Sequence, residues 1–188
     1  MQWHRNSQKR FYESGHTYFV VSKTYNNYPY FKEKIFCDLF IEELKLCKNL
    51  KKFRLYGFCI VYDHINLLLQ PSDEFNISKV MKSLKENVSR DINYIMNGIF
   101  YEGDTSTCRF QLRESFKYYQ NLFFKKYQNH NPLPAFHWQK SYYDHVIRNG
   151  RDFENHWNYT SYNYLKHKMN SDWSYATENF WELIDELG

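Results

Sequence analysis

Residues 53–70 read FRLYGFCIVYDHINLLLQ, an apolar and aromatic run broken once, at Tyr62-Asp63, and ended by Pro71. Two strands fit this run, 54–61 and 65–70, with His64 leading the second. What flanks the pair sets the fold class. Upstream, Gly15 opens HTYFVVSKTY (16–25), rich in β-branched and aromatic residues, and Asn26-Asn27-Tyr28-Pro29 breaks it, so it reads as a strand. Residues 31–49 follow, with apolar positions 35, 36, 39, 40, 44 and 46 forming a helical stripe. Downstream, Asp73 to Asn76 precede ISKVMKSLKENVSRDINYIM (77–96), apolar at 77, 80, 81, 84, 88, 92 and 95, a second helix. Strand–helix–strand–strand–helix is the opening of a split βαβ layout. The expectation is an α+β fold: a ferredoxin-like antiparallel sheet with helices packed on one face.

The rest of the chain is less periodic. Gly98 and Gly103 punctuate the stretch after the second helix, and Asn131-Pro132-Leu133-Pro134 closes it. Between them, ESFKYYQNLFFKKYQ (114–128) reads as a helix inside an insertion spanning about 97–135. Residues 136–148 look extended, a last strand. Asp152 is a fair N-cap for a helix from Phe153 to about His167. The acidic, aromatic tail is expected to end in a short helix. A length of 188 residues suits one domain, 1–188, with its core in about 15–96 and 136–170 and a loosely held arm at 1–14.

Composition narrows the function classes. The chain holds 18 Tyr, 16 Phe and 5 Trp, enough for an aromatic core with a few rings left over for base stacking. Its 25 Lys and Arg against 21 Asp and Glu give a net charge of +4, compatible with nucleic acid but not proof of it. Cys37, Cys47, Cys59 and Cys108 form no CxxC pair and match no zinc spacing, so reduced thiols and a cytoplasmic location are expected. No apolar leader and no long apolar run is present, which argues against secretion and membrane insertion.

Three constellations carry chemistry. His64 and Asn66 are two apart on a strand, so both project on one face, and an imidazole nitrogen and an amide oxygen can ligate a divalent cation. Tyr159, Asn163 and His167 are four apart, which on a helix stacks them on one face. A tyrosine hydroxyl is a poor nucleophile, with an ordinary pKa near 10, until a metal polarises its target or a neighbour takes its proton. His156 and His167 are candidate proton carriers. The same face also suits an ordinary half-buried stripe. Trp138, Gln139, Tyr142, Tyr143, Asp144 and His145 offer donors and ring faces to a DNA groove, or form a plain sheet strand. Lys79, Lys82, Lys85 and Arg90 line one face of the 77–96 helix, a solvated surface or a phosphate contact. An RNA-recognition version of the fold lacks support, because no Lys/Arg-Gly-Phe-type aromatic signature lies on an expected strand.

In order, these pieces are His64-Ile65-Asn66, the basic helix, Trp138-Gln139, Tyr143-Asp144-His145-Val146-Ile147-Arg148, and then Tyr159, Asn163, Lys166 and His167. This order resembles the REP-associated tyrosine transposases, relatives of the single-tyrosine insertion-sequence transposases of the HUH superfamily, over roughly 15–96 and 136–170. The resemblance implies a sequence- and structure-specific single-stranded DNA endonuclease and strand transferase. Tyr159 would be the nucleophile, forming a 5′-phosphotyrosine. His64, Asn66 and Asn163 would hold Mg²⁺ or Mn²⁺. Lys79, Lys82, Lys85, Arg90, Trp138, Tyr142, His145 and Arg148 would contact DNA, and the substrate would be single-stranded DNA at hairpin ends, bound by a monomer or homodimer. Two departures stand out. The family's His-hydrophobic-His motif has Asn66 as its last member, which keeps an oxygen ligand and loses an imidazole. The family's Asn-Pro is Asn163-Tyr164. A non-catalytic or domesticated DNA-hairpin binder on the same fold is therefore the alternative.

Overall fold

The computed structural model describes residues 15–99 and 107–187. The expected arm at 1–14 and Gly103 lie outside them. Four strands, β1 (Tyr18–Lys23), β2 (Arg54–Val61), β3 (His64–Gln70) and β4 (Tyr143–Val146), form one sheet in the order β2-β3-β1-β4, antiparallel throughout. Among the described residues five helices accompany them: α1 (Lys34–Lys51), α2 (Ile77–Asn97), α3 (Thr107–Lys126), α4 (Gly150–Ser161) and α5 (Asn163–Lys166). The α+β class and the antiparallel sheet are those expected from the sequence.

Strand alternation divides the apolar residues between two layers. Tyr18 and Val20 of β1 and Ile65, Leu67 and Leu69 of β3 join the main core with Phe40 and Leu44 of α1 and Val80, Leu84 and Val88 of α2. Helix α3 extends this layer: Phe123 stacks on Phe36 at 5.9 Å, and the Tyr119 hydroxyl donates to Glu42 at 2.6 Å. The opposite face is covered too. Phe19, Tyr56 and Leu68 pack with Phe153 and Trp157 of α4. The single helical layer expected from the sequence is thus α1 to α3, and the helix carrying Tyr159 makes a second layer across the sheet.

Three local expectations change. The last strand is four residues long rather than 136–148: around Trp138 the backbone pairs with the end of β1 only as an isolated bridge, Tyr25 N–H to His137 O at 2.7 Å and Gln139 N–H to Lys23 O at 2.8 Å, and the ladder resumes at Tyr143. Asn93 bonds both the N–H and the C=O of Phe136, at 2.8 and 3.0 Å, and Lys85 Nζ donates to Gln139 O at 3.0 Å. The final helix starts at Gly150, capped by Asn149, whose Oδ1 accepts from Asp152 N–H, so Asp152 is not the cap. It also breaks at Tyr162 (φ −111°, ψ 19°) before α5. The tail forms two short 3-10 turns, Thr177–Asn179 and Trp181–Leu183, rather than a helix.

These turns seal the outer edge of β2. Ile60 N–H donates to Tyr175 O at 2.9 Å, Phe58 N–H to Thr177 Oγ1 at 2.9 Å and Leu55 N–H to Asp185 Oδ2 at 2.7 Å. An edge strand's free donors are thereby occupied within the chain. Gly57 permits the closeness: a Cβ there would meet Thr177 Oγ1 at 3.3 Å and Ser161 Oγ at 3.6 Å. Cys37, Cys47 and Cys59 are buried free thiols, and burial raises all three, Cys47 to about 11 and Cys59 to about 12. No helix among the described residues is long and apolar enough to cross a membrane.

Candidate active site

His64 and Asn66 open β3 on the face that α4 and α5 cover. Both are buried, at 5% and 0% exposure, and so is Asn163 at 1%. The break at Tyr162 accounts for this burial, since it turns Asn163 down onto the sheet. Tyr159, one turn earlier, stays 39% exposed. The expected single face of Tyr159, Asn163 and His167 is therefore resolved into a half-exposed tyrosine and an inward asparagine.

The polar groups converge. Asn163 Oδ1 lies 3.1 Å from His64 Nε2 and accepts from Asn66 Nδ2 at 3.0 Å. His64 Nδ1 lies 2.6 Å from Asp63 Oδ1. That hydrogen bond is the main reason the Asp63 carboxyl is held below its ordinary value. Asp63 is thus ionised at neutral pH and fixes the proton of a neutral ring on Nδ1, leaving a lone pair on Nε2. The Asp63 carbonyl in turn accepts from the N–H and hydroxyl of Thr24, both at 2.9 Å, which pins the turn to the end of β1.

A lone pair on Nε2 facing a carbonyl oxygen at 3.1 Å is unfavourable as drawn. Three arrangements resolve it: an imidazolium, rotation of both amides by 180°, or a cation between the groups. Neither Asn66 Oδ1 nor Asn163 Nδ2 has a hydrogen-bond partner, so the buried cluster holds one unsatisfied acceptor and one unsatisfied donor. Ligands at about 2.1 Å from an octahedral ion sit about 3 Å apart when adjacent, which is the spacing found here. The residues fit a divalent cation.

Around this cluster lie His167, expected as a candidate proton carrier, Lys166 and Lys23. The His167 ring, at the C-cap of α5, packs edge-on against His64, centroids 4.8 Å apart, which sets it beside the metal-ligand candidates. Burial, then the nearby His64, lowers its pKa. Lys166 Nζ sits 4.7 Å from the centroid of the Tyr159 ring. Lys23 pairs with His64 across the β1–β3 ladder. Helical spacing links His167 to Asn163, whereas the sheet register and the Tyr162 break bring Lys23 and His64 to them.

Tyr159 rests edge-on against Phe19 at 5.6 Å, and Phe19 also meets His156 at 4.8 Å and Tyr143 at 6.3 Å. His145, Asp152 and His156 are the described cluster whose donor atoms all lie within 4.8 Å of one another. His145 Nε2 is 2.9 Å from Asp152 Oδ2, and His156 Nδ1 is 3.0 Å from Asp152 Oδ1. Burial alone would raise the Asp152 carboxyl, but hydrogen bonds from His145 and the Arg148 N–H, with the charges of both histidines, hold it below its ordinary value. The cluster offers a second candidate metal triad and also ties α4 to β4.

The expected DNA contacts divide. Arg148 is exposed and His145 half-buried, both on the tyrosine side or at its edge. Lys79 and Lys82 are exposed on α2, across the sheet from Tyr159. Lys85 donates to Gln139 O, and Arg90 grips Asp91 at 2.6 and 3.0 Å. Trp138 is packed on Phe31 and Phe136, with its indole N–H on Lys85 O at 3.1 Å. Tyr142 lies 3.3 Å from Ser78 Oγ. The segment 138–142 thus bridges from α2 to the β4 edge.

Comparison with known proteins gives a consistent picture. A family model described as IS200-like transposase matches residues 12–103, which include His64 and Asn66 and stop before the tyrosine helix. A Haemophilus influenzae protein assigned by name to the REP-associated tyrosine transposases is 26% identical over 129 residues, 66% of this chain and 58% of that protein. The chain thus spans somewhat more than half the length of this curated relative. A solved structure of a REP-associated tyrosine transposase bound to a REP hairpin superposes with a TM-score of 0.54 at 18% identity, over 92% of this chain and 82% of that one. At that identity the superposition shows a shared fold. In these three comparisons the chain is similar to the IS200-like and REP-associated tyrosine transposases, the family its sequence resembles.

Proposed function

We propose that this chain is a single-stranded DNA nickase and strand transferase that uses Tyr159 as its nucleophile at hairpin ends. The observation that carries the reading is the placement of Tyr159, half-exposed, one helical turn from Asn163, which meets His64 and Asn66 on the sheet below. The Tyr159 oxygen attacks the scissile phosphorus. The bond from phosphorus to the 3′ oxygen breaks, and the phenolic proton ends on that departing oxygen. A 5′-phosphotyrosine and a free 3′-hydroxyl result, and attack by a 3′-hydroxyl reverses the step on another end. Lys166, over the ring, and Lys23, at the end of β1, favour negative charge in this region. Mg²⁺ or Mn²⁺ held by His64, Asn66 and Asn163 would polarise the phosphate.

The hairpin bound in the solved relative supports a hairpin substrate. Lys79 and Lys82 on α2, with Arg148, Tyr142 and His145 along the β4 edge, would follow the duplex phosphates; Lys85, Arg90 and Trp138 hold that wall in place. A strand crossing the β4 edge reaches Tyr159. The test is cleavage of a hairpin oligonucleotide with a single-stranded foot, in Mg²⁺ or Mn²⁺. Cleavage is expected for the native chain and lost in Tyr159→Phe; cleavage by Tyr159→Phe overturns the reading.

A second reading rests on Asn66. An amide where an imidazole is expected, within a buried network that closes by rotating two amides, suits a DNA-hairpin binder without catalysis. Hairpin binding that persists in EDTA, with no covalent adduct in any divalent metal and cleavage gained by Asn66→His, favours it.

A further inference from the structure

The loss of an imidazole at Asn66 has a counterpart elsewhere in the chain. His167 is the C-cap of α5, with its N–H on Asn163 O at 3.3 Å. It lies four residues after Asn163, so both belong to one face of that turn. A Schellman motif fixes it there: Lys168 N–H donates to Leu165 O at 3.0 Å and Met169 N–H to Tyr164 O at 3.1 Å. Lys168 adopts φ 54°, a conformation a non-glycine residue takes up at a cost of about 1 kcal/mol. Met169 is buried in the core and anchors the far side. The chain thus accepts backbone strain to end the helix with the His167 ring against His64.

The geometry suits shared ligation. An imidazole bound at about 2.1 Å places its ring centroid roughly 3.2 Å from the ion, so two adjacent rings on one ion have centroids about 4.5–5 Å apart. His64 and His167 are 4.8 Å apart with their planes at 66°. Asp63 fixes the His64 proton on Nδ1 and so directs its lone pair inward. Asn163 Oδ1 completes the near side, and the partnerless Asn66 Oδ1 lies next to it.

We infer that His167 supplies the second imidazole of the divalent-metal site, restoring from the end of the tyrosine helix the nitrogen ligand that Asn66 does not provide. The ligand set is then His64, His167 and Asn163, with Asn66 as an oxygen ligand or a hydrogen-bond donor to Asn163. Two nitrogen ligands favour Mn²⁺ over Mg²⁺. The inference rests on the metal-site reading above.

The test uses the full chain with Mn²⁺ alone, without DNA, so its readout is independent of cleavage. Pulsed electron paramagnetic resonance counts the imidazole nitrogens coupled to bound Mn²⁺. Two imidazoles are expected in the native chain, one in His167→Ala and one in His64→Ala, with affinity at least tenfold weaker in each. The double variant Asn66→His/His167→Ala is expected to show two again. One imidazole in the native chain, lost in His64→Ala and unmoved by His167→Ala, overturns the inference and leaves the metal-site reading standing. No Mn²⁺ bound, or Mn²⁺ lost in His145→Ala but not in His64→Ala, overturns both. A thermal midpoint near the native value confirms that His167→Ala, altered at an exposed position, is folded.

Discussion

Asp63 makes a one-residue difference to what His64 can do. An imidazole without a partner exchanges its proton between two nitrogens; the carboxylate at 2.6 Å selects Nδ1 and leaves the lone pair on Nε2. Asp63→Asn removes the charge while keeping the shape. Mn²⁺ affinity, measured by calorimetry, is expected to fall about 10- to 100-fold while the thermal midpoint changes little. An unchanged affinity would show that the tautomer does not matter. The pairings of His64 with Asn66 and of Tyr159 with Asn163 were legible in the sequence as spacings on one strand and one helix, and the structure brings Asn163 onto the His64–Asn66 pair. Lys23 as a neighbour of the site, and the packing of His167 on His64, were not legible. Both depend on the break at Tyr162 and on the Lys23–His64 register, which no local pattern encodes.

Among the elements, α4 decides where the tyrosine stands, and polar contacts to β2 and β4 help to hold that helix. Trp157 Nε1 donates to Tyr56 O at 3.0 Å on β2, and Asp152 joins His145 of β4 to His156 of α4. Asp152→Asn should cost about 2 kcal/mol near neutral pH, read from urea unfolding. The sign of its pH dependence follows from the lowered Asp152 carboxyl. A depressed folded-state value gives stability that is present above the unfolded carboxyl pKa near 3.9 and lost as pH falls through the folded value. The gap between native and Asp152→Asn proteins should therefore close in acid; a gap that persists at pH 2 would contradict this account. Strands β2 and β3 and helices α1 and α2 were legible because each buries a periodic apolar face. The short β4 was not, since the extended segment pairs with β1 in two pieces, a single bridge at Trp138 and the ladder from Tyr143, and no local pattern marks the interruption between them.

The molecule as a whole is a sheet closed on both faces and at one edge. Its tail, without a periodic pattern to announce it, is the closure of the β2 edge. Thr177 is central to that closure: Oγ1 accepts from Phe58 N–H, donates to Phe58 O, and is met by Ser161 Oγ at 3.1 Å. Thr177→Val keeps the volume and orphans the buried N–H and C=O of Phe58. The expected loss is about 1–3 kcal/mol in urea unfolding, with a raised tendency to self-associate through the opened edge. Equal stability would show that the tail only rests on the strand. Ser161 ends α4 and Thr177 begins the tail's first turn, so the same contact links edge closure to the position of the tyrosine helix.

The most direct test of the central claim is to identify the residue that becomes joined to DNA. The native chain is incubated with Mn²⁺ and a hairpin whose single-stranded foot is truncated after the cleavage site, so that the leaving strand diffuses away. Peptide mass spectrometry then maps the adduct. A nucleotide on the peptide containing Tyr159, joined through a tyrosine 5′-phosphate, is the predicted result. Cleavage that leaves no adduct, or an adduct on any other residue, would contradict it.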